Sequence, residues 1–224
     1  AEQLESMWGA QKRLLADVSH ELRSPLARLQ MALGLAHQQN VDPATLSRVE
    51  READRMEALV SQLLTLSRAE AGEANMQKHA LSLVLNDVLT DANFEVANKN
   101  KQLKIDDIPK KTVVIDSMMF CRAVENVLRN AIRHSKLVTH IAFSEDAQHW
   151  CIHITDDGDG LTIEECERIF SPFYRATLAR ERESGGVGLG LSIAKAAVEL
   201  HHGRIIAEPA ERGGLRVTMS FPKL

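Results

Sequence analysis

The sequence contains no hydrophobic run long enough to cross a lipid bilayer. A membrane-spanning helix needs about 20 consecutive apolar residues, and no stretch of the 224 residues approaches that length. No signal peptide opens the chain. The first residues look helical and carry no helix start signal, so we expect the first helix to begin upstream. The missing span therefore says nothing about a longer parent protein.

The sequence has few cysteines and no excess of positive charge. The three cysteines form no C-x-x-C pair, so neither a disulfide framework nor a zinc site is indicated, and a reducing compartment fits. The formal net charge of −4 provides no basic field, and no acidic block marks a disordered tail. We expect no nucleic-acid partner.

Two long stretches near the start are predicted to be helices. Apolar residues recur at spacings of three and four from about Leu4 to Ala36, and again from about Pro43 to Ala69. The short connector between them predicts an antiparallel hairpin. Because a lone hairpin leaves much of its apolar stripe in water, we expect a homodimer in which two copies form a four-helix bundle.

The hydrophobic periodicity stops near residue 71, which we interpret as a domain boundary, since the length favours two small domains. Beyond it, short strands and helices mix and the last strands are antiparallel neighbours, which predicts an α+β two-layer sandwich. Residues 81–99 are interpreted as a short strand followed by a helix. The predicted organisation is a helical hairpin at 1–72, a linker at 73–79 and an α/β domain at 80–224.

His20 lies in the segment VSHELRSPLARLQ of the first predicted helix. At about 100° per residue its side chain points towards solvent, with Glu21 beside it and Ser24 one turn further on. Pro25 removes one helical hydrogen bond, so the helix should bend after His20. An exposed imidazole beside a carboxylate can act as a nucleophile. Taken alone, an ordinary surface histidine is the commoner outcome.

The segment RAVENVLRNAIRHS places Asn126 and Asn130 one turn apart on one helix face, with Arg129 and Arg133 in a neighbouring row. An amide oxygen suits Mg²⁺, and arginine suits phosphate. Alone, such a helix is more often an ordinary amphipathic one with its asparagines in water.

The segment TDDGDG follows an apolar strand and holds the pattern D-x-G-x-G. A buried carboxylate at Asp156 could accept the amino group of a purine, while Gly158 and Gly160 let the backbone approach the base. An ordinary Asp/Gly turn explains this stretch at least as well when it is taken alone.

A second glycine motif, SGGVGLGLSIAK, runs into a helix with Gly186, Gly188 and Gly190 in alternation. Free N–H groups before a helix N-terminus can hold an anion. The spacing is not that of G-x-G-x-x-G, and the G-K-[ST] ending of a P-loop is missing, so both of those nucleotide folds are disfavoured.

The loop IFSPFYRATLARERES lies between the two glycine motifs. Its aromatic residues can anchor a loop whose arginines, Arg175 first, reach phosphate. A solvated charged loop is the alternative interpretation.

Taken in order, HELRSP, NVLRNAIRHS, DDGDG, IFSPFYR and GGVGLGL resemble the H, N, G1, F and G2 boxes of sensor histidine kinases of two-component systems. The five motifs cover most of the chain. The resemblance implies a dimerisation and histidine-phosphotransfer hairpin followed by a Bergerat-type ATP-binding domain. It also implies the cytoplasmic portion of a bacterial inner-membrane protein, whose membrane segments would lie upstream.

The resemblance assigns roles to individual residues. His20 is implied as the phosphoacceptor, Glu21 as its orienting acid or base, and Arg175 as the arginine near the γ-phosphate. Asn130 is implied as the Mg²⁺ ligand, assisted by Asn126. The other residues implied around ATP are Arg133, His134, Asp156 (the adenine anchor), Gly158, Gly160, and the triphosphate cradle Gly186, Val187, Gly188, Leu189 and Gly190.

Three positions depart from the family pattern. His134 stands where an aromatic is frequent, and Val187 replaces a frequent Thr or Ser. Ser24 takes a place often held by Thr or Asn in the motif for dephosphorylating the partner. Phosphatase activity is therefore implied less firmly than kinase activity.

The function implied is ATP-dependent autophosphorylation of His20 and transfer of the phosphoryl group to an aspartate of a response-regulator receiver domain, with phosphatase activity towards it. Two alternatives stay open. One is an ATPase of the gyrase and chaperone type, in which a glutamate activates water, although Asn126 fills that slot here. The other is a non-catalytic dimeric signalling scaffold.

Overall fold

The computed structural model describes most of the chain, namely residues 27, 29–31, 33–34, 36, 43–72, 74–174, 188–211 and 213–223. The chain divides into two compact units, with the boundary between Ala71 and Gly72. His20, Glu21, Ser24, Arg175, Gly186 and Val187 lie outside the described residues.

The first unit contains the long helix α1 (Pro43–Ala71), and the described positions between 27 and 36 are also helical. Proline suits the first position of a helix because its missing N–H would have no partner there. Leu33 packs with Leu46, Ala53 and Val60 of α1, which recur every seven residues as in a coiled-coil seam. The two helical stretches of the predicted hairpin therefore share one apolar cluster.

The second unit combines helices with two β-sheets. Its helices are α2 (Leu81–Asn98), α3 (Ser117–His134), α4 (Ile163–Arg168) and α5 (Gly190–Leu200). Its strands are β1 (Gln77–Ala80), β2 (Gln102–Ile105), β3 (Thr112–Ile115), β4 (Val138–Glu145), β5 (His149–Asp156), β6 (Arg204–Pro209) and β7 (Leu215–Pro222).

The larger sheet has the strand order β2-β4-β5-β7-β6, parallel between β2 and β4 and antiparallel elsewhere. Burial alternates along β5 and β7, so every second side chain faces the core. The helices pack against this sheet, with α3 touching both α2 and α5. The predicted two-layer α/β sandwich is confirmed.

Aromatic side chains fill one end of the core. Trp150 stacks on Phe221 with ring centroids 4.6 Å apart, and Phe120 lies 5.4 Å from Phe221. This packing places β5 and β7 firmly beneath α3, because aromatic rings bury the largest apolar area per residue.

The strand predicted within residues 81–99 is wrong, because α2 begins at Leu81 and runs through that stretch. Leu81, Leu85 and Leu89 are all buried, at the spacing of four that a helix needs to face a core. The strand precedes the helix: Gln77 to Ala80 form β1, paired antiparallel with β3. Residues 77–79 are therefore part of a strand and not of the predicted linker 73–79.

A chain of hydrogen bonds fastens the start of the second unit to two helices. The Asn75 N–H donates to Asp116 Oδ2 at 2.9 Å, and Asp116 Oδ1 caps α3 by accepting the Met119 N–H at 3.0 Å. The Asp116 N–H donates to His201 Nε2 at 3.0 Å, and His201 Nδ1 donates to the Ala197 carbonyl of α5. His201 is therefore the neutral tautomer protonated at Nδ1.

Within the described ranges, none of the helices is long and apolar enough to traverse a bilayer.

Candidate functional site

Asp156 ends β5 on the face of the sheet that the helices cover, and only 4% of it is exposed. Its Oδ1 accepts the N–H groups of Gly158 at 2.9 Å and Leu215 at 3.3 Å. Its Oδ2 accepts no hydrogen bond from the residues that the structure describes. Burial raises the pKa of this carboxyl, and the two N–H donors offset only part of that effect. Oδ2 is thus the carboxylate oxygen that can still accept a hydrogen bond.

Gly158 packs closely between the end of α3 and the Asp156 carboxylate. A Cβ there would lie 2.5 Å from the His134 carbonyl oxygen and 2.8 Å from Asp156 Oδ1, so no larger residue fits without moving the backbone. The end of α3 and the turn after β5 therefore meet at a position that only glycine allows. Gly160, in the left-handed region, lies against Gly214.

Gly214 was missed by the sequence analysis. Its φ of +91° belongs to the region that favours glycine, and a Cβ there would overlap the Asp156 carbonyl oxygen. Gly214 thus lets the start of β7 lie close to Asp156. The doubled glycine before the last strand is the signal that could have identified it.

Asn126 and Asn130 lie on α3, half-buried and one turn apart, as predicted. The Asn126 amide donates to the Arg122 carbonyl at 2.8 Å, which orients the side chain. A Cβ at Gly190 would lie 2.9 Å from Asn126 Oδ1. The structure therefore brings the asparagine row of α3 to the start of α5.

The N-terminus of α5 has no side-chain cap from its own N-cap residue. Leu189 is buried and occupies the N-cap, where its side chain makes no capping hydrogen bond. The Gly188 carbonyl accepts the Phe173 N–H at 2.9 Å, and Gly188 has a φ of +81°. The second glycine motif is thus tied to the preceding aromatic segment.

The basic row on α3 is only partly available. Arg129 Nη2 lies 2.8 Å from Glu125, and Arg122 pairs with the same carboxylate at 3.1 Å. Arg129 is therefore committed to an ion pair. Arg133 and the exposed His134 form the last turn of α3, beside Gly158.

Two charged residues that the sequence analysis did not identify hold the end of α3 in place. Lys101 Nζ donates to the carbonyls of Ile132 at 2.7 Å and Ser135 at 2.5 Å. The Asp157 carboxylate accepts the N–H groups of Lys136 at 2.8 Å and Val138 at 3.1 Å. Burial first, and then the nearby Lys99 charge, lower the pKa of Lys101. Burial acts to raise the pKa of Asp157, but its N–H partners bring the net shift below the usual value.

No group of three or more His, Cys, Asp or Glu side chains suited to a metal occurs in the part of the chain that the structure describes. The amides of Asn126 and Asn130 on α3 offer neutral oxygen donors. Amide oxygen suits Mg²⁺, which needs few protein ligands when phosphate oxygens supply the others.

Two family models match two separate stretches of the chain. The model described as "His Kinase A (phospho-acceptor) domain" matches residues 10–72. The model described as "Histidine kinase-, DNA gyrase B-, and HSP90-like ATPase" matches residues 115–224. The second range contains Asp156, Gly158, the asparagines of α3 and the start of α5.

Curated proteins are similar over nearly the whole chain. "Sensor histidine kinase CpxA" of Escherichia coli (strain K12) is 38% identical over 227 residues, covering 98% of this chain and 48% of that protein. "Sensor histidine kinase WalK" of Bacillus subtilis (strain 168) is 31% identical over 229 residues, covering 97% of this chain and 38% of that protein. The chain thus spans half or less of the length of these relatives.

Among solved structures, full-length ShkA in complex with AMPPNP superposes with a TM-score of 0.78 at 19% identity. The match covers 94% of this chain and 45% of that one. At this identity the likeness concerns the fold alone.

Proposed function

The chain belongs to the sensor histidine kinases, and from this premise we propose that it uses ATP to phosphorylate its own His20 and passes the phosphoryl group to an aspartate of a response regulator. The observation that carries the proposal is the order of two parts in one chain. A phospho-acceptor region that includes the segment HELRSP precedes an ATPase-type fold whose buried Asp156 keeps one oxygen unused.

Nucleotide binding is assigned to the pocket around Asp156. Asp156 Oδ2 accepts a hydrogen bond from the amino group of adenine, and Gly158 lets the turn after β5 pack close to the end of α3. The N-terminus of α5, with Gly188, Leu189 and Gly190, holds the phosphates through backbone N–H groups. In the proposal, Gly186 and Val187 extend this cradle, and His134 borders the base or ribose.

Magnesium fits the amide oxygens of α3. Asn130, assisted by Asn126, would hold the ion, and the ion would neutralise phosphate charge.

The phosphoryl group moves from ATP to an imidazole nitrogen of His20. The N–P bond forms as the bond between the γ-phosphorus and the β-bridging oxygen breaks, and ADP leaves. Glu21 orients the ring so that one nitrogen keeps its proton and the other presents a lone pair. Arg133 and Arg175 neutralise the transferring group, so catalysis is mainly positioning. Ser24 belongs to a weaker phosphatase activity towards the regulator.

Dimerisation is assigned to the helical unit. One chain leaves apolar side chains exposed there, including Met31 at 73% and Met56 at 41%. A second copy would cover this surface in a four-helix bundle. The segments that place the parent protein in a bacterial inner membrane would lie outside the matched half of the relatives.

The ATPase alternative is disfavoured by the position of Glu125. Both of its carboxylate oxygens pair with arginines, and the residue in the water-activating slot is Asn126, which cannot take a proton. A scaffold without catalysis is disfavoured by the intact pocket at Asp156.

Labelling with γ-phosphate tests the proposal. Incubation with γ-labelled ATP and Mg²⁺ should give a protein label that is labile in acid and stable in alkali. His20→Ala should abolish the label, while His149→Ala, which changes a half-buried histidine at the start of β5, should keep it. A label retained in His20→Ala would contradict the assignment. Steady ATP hydrolysis without a phosphoenzyme would favour the ATPase, and nucleotide binding without either reaction would favour the scaffold.

A further inference from the structure

Thr139 carries an unpartnered hydroxyl in the core beside the nucleotide pocket. The residue is fully buried, and its Oγ1 is the one buried side-chain N or O atom without a hydrogen-bond partner in the part of the chain that the structure describes. Buried hydroxyls normally find a partner because an unpaired one loses its bonds to water without compensation. The position therefore needs an explanation.

The register of the sheet places Thr139 directly opposite Asp156. The two residues are Cα partners in the antiparallel pair β4–β5, so both side chains leave the same face of the sheet. The next pair on that face is Ile141 with Ile154, which is wholly apolar. Thr139 and Asp156 thus form a polar pair at the end of an apolar surface, with Cβ atoms about 5 Å apart.

Each of the two side chains can make one further hydrogen bond, and the two roles are complementary. Asp156 Oδ2 can accept a hydrogen bond, and the Thr139 hydroxyl can donate one. Adenine presents the matching pattern on adjacent atoms, a donor at its amino group and an acceptor at N1. Guanine presents the reverse pattern, so its O6 would face the carboxylate.

We propose that Thr139 is a specificity-determining residue of the base pocket, whose hydroxyl donates to adenine N1 directly or through one water held with Asp156. This inference rests on the proposed function, because it requires an adenine nucleotide at Asp156. It adds a residue that none of the sequence motifs contains.

Calorimetric binding of ADP with Mg²⁺ to the full chain tests the proposal, using 1-deaza-ADP, which has a C–H in place of N1. Thr139→Val keeps the shape of the side chain and removes the hydroxyl. We expect it to weaken ADP binding by about three- to tenfold, the range of one hydrogen bond. Wild type should lose a similar factor with 1-deaza-ADP, and Thr139→Val should lose nothing further. The melting temperature of the ligand-free variant should not fall, since an unpaired hydroxyl has been removed.

Thr155→Val is the matched control. Thr155 is adjacent to Asp156 but points to the opposite face, where its hydroxyl accepts from Arg216 Nε at 3.3 Å. It should bind ADP as wild type does. If Thr139→Val folds poorly, Thr139→Ser keeps the hydroxyl and should preserve the discrimination against 1-deaza-ADP.

Two results would overturn the proposal. Unchanged ADP affinity in Thr139→Val would place the hydroxyl outside the base pocket. If the losses of binding free energy caused by Thr139→Val and by 1-deaza-ADP were additive, the hydroxyl and N1 would take part in different contacts. If wild type bound no adenine nucleotide, the proposed function itself would fail, which is a distinguishable outcome.

Discussion

At the scale of single residues, the Asp156 carboxylate has opposite effects on the stability of the fold and on nucleotide binding. Burial raises its pKa, so the folded chain holds the proton more tightly than the unfolded chain does. The resulting stabilisation is fully present below the ordinary carboxyl pKa of about 4, and it is lost as pH rises through the raised pKa of the folded state. Ionisation of Asp156 therefore costs stability in the folded chain, while the ionised carboxylate is the stronger acceptor for a donor on a nucleotide.

Asp156→Asn should separate these two effects. The amide oxygen can still accept from Gly158 and Leu215, but its NH₂ group replaces the acceptor for the adenine amino group. We expect nucleotide affinity to fall by about 10- to 100-fold, because the acceptor for the adenine amino group is lost and an NH₂ donor faces that group instead. The free energy of unfolding at pH 7 should be equal or higher, with the gain shrinking as pH falls towards 4.5.

Titration calorimetry and urea unfolding between pH 4.5 and 8 measure both quantities. Asp159→Asn is the control, since this carboxylate is exposed and pairs with Lys136, which lies between α3 and β4. A variant at position 156 that lost stability at pH 7 would show that the charged carboxylate supports the fold, against our expectation.

Residues that belong to a local pattern were the predictable part of the site. Asp156 and Gly158 follow one strand and form one turn, so their sequence spacing already fixes their proximity. Thr139 and Lys101 act on partners that come together only in the folded sheet and helix layer. The spacing of residues along the sequence does not reveal such partners, so neither residue could be identified from the sequence.

At the scale of elements, α3 is fixed at both ends by side chains from elsewhere. Asp116 caps its start, and Lys101 from the segment before β2 binds its last carbonyls. A cation at a helix C-terminus also meets the negative end of the helix dipole. The helix thus presents Asn130 and the His134 carbonyl at defined places.

Lys101→Met should loosen the end of α3. We expect the free energy of unfolding to fall by about 1–3 kcal/mol, because carbonyls at the helix end lose a charged donor. Lys99→Met is the matched control, as Lys99 pairs with Glu95 on an exposed face and should change stability by at most about 0.5 kcal/mol. Urea unfolding and hydrogen exchange at Ser135 measure the difference, and equal losses in both variants would contradict this role for Lys101.

Elements with their own periodicity were predicted well, while β1 was not. The sequence QKHA has no alternation of apolar residues, and it becomes a strand only because β3, more than 30 residues later, pairs with it. Helix α2 was split in the prediction because its leucines and valines also suit a strand. Burial at every fourth residue decided in favour of a helix.

At the scale of the whole molecule, two units have separate cores. The cluster around Leu46 belongs to the helical unit, and the aromatic cluster around Phe120 belongs to the α/β unit. Each core is built from residues of its own unit, so the α/β unit should fold alone.

A fragment of residues 72–224 should bind ADP within about threefold of the full chain, because every described residue of the pocket is retained. By sedimentation it should be a monomer, while residues 1–224 should be a dimer whose melting temperature rises with concentration. The fragment should take up no label from γ-labelled ATP. A dimeric fragment, or a monomeric full chain, would contradict the assignment of dimerisation to the helical unit.

The hydrogen bond from Asn75 to Asp116 links the chain that follows the helical unit to the start of α3. The same carboxylate holds the chain that arrives from the helical unit and the first turn of an 18-residue helix, which is about 27 Å long. A displacement of the chain at residue 75 therefore acts first on the Asp116 carboxylate that caps α3, while Lys101 anchors the other end of the same helix, near Asn130 and His134. The connection from the helical unit thus enters the α/β unit at the start of the helix whose last turns carry two of the residues proposed for the nucleotide site.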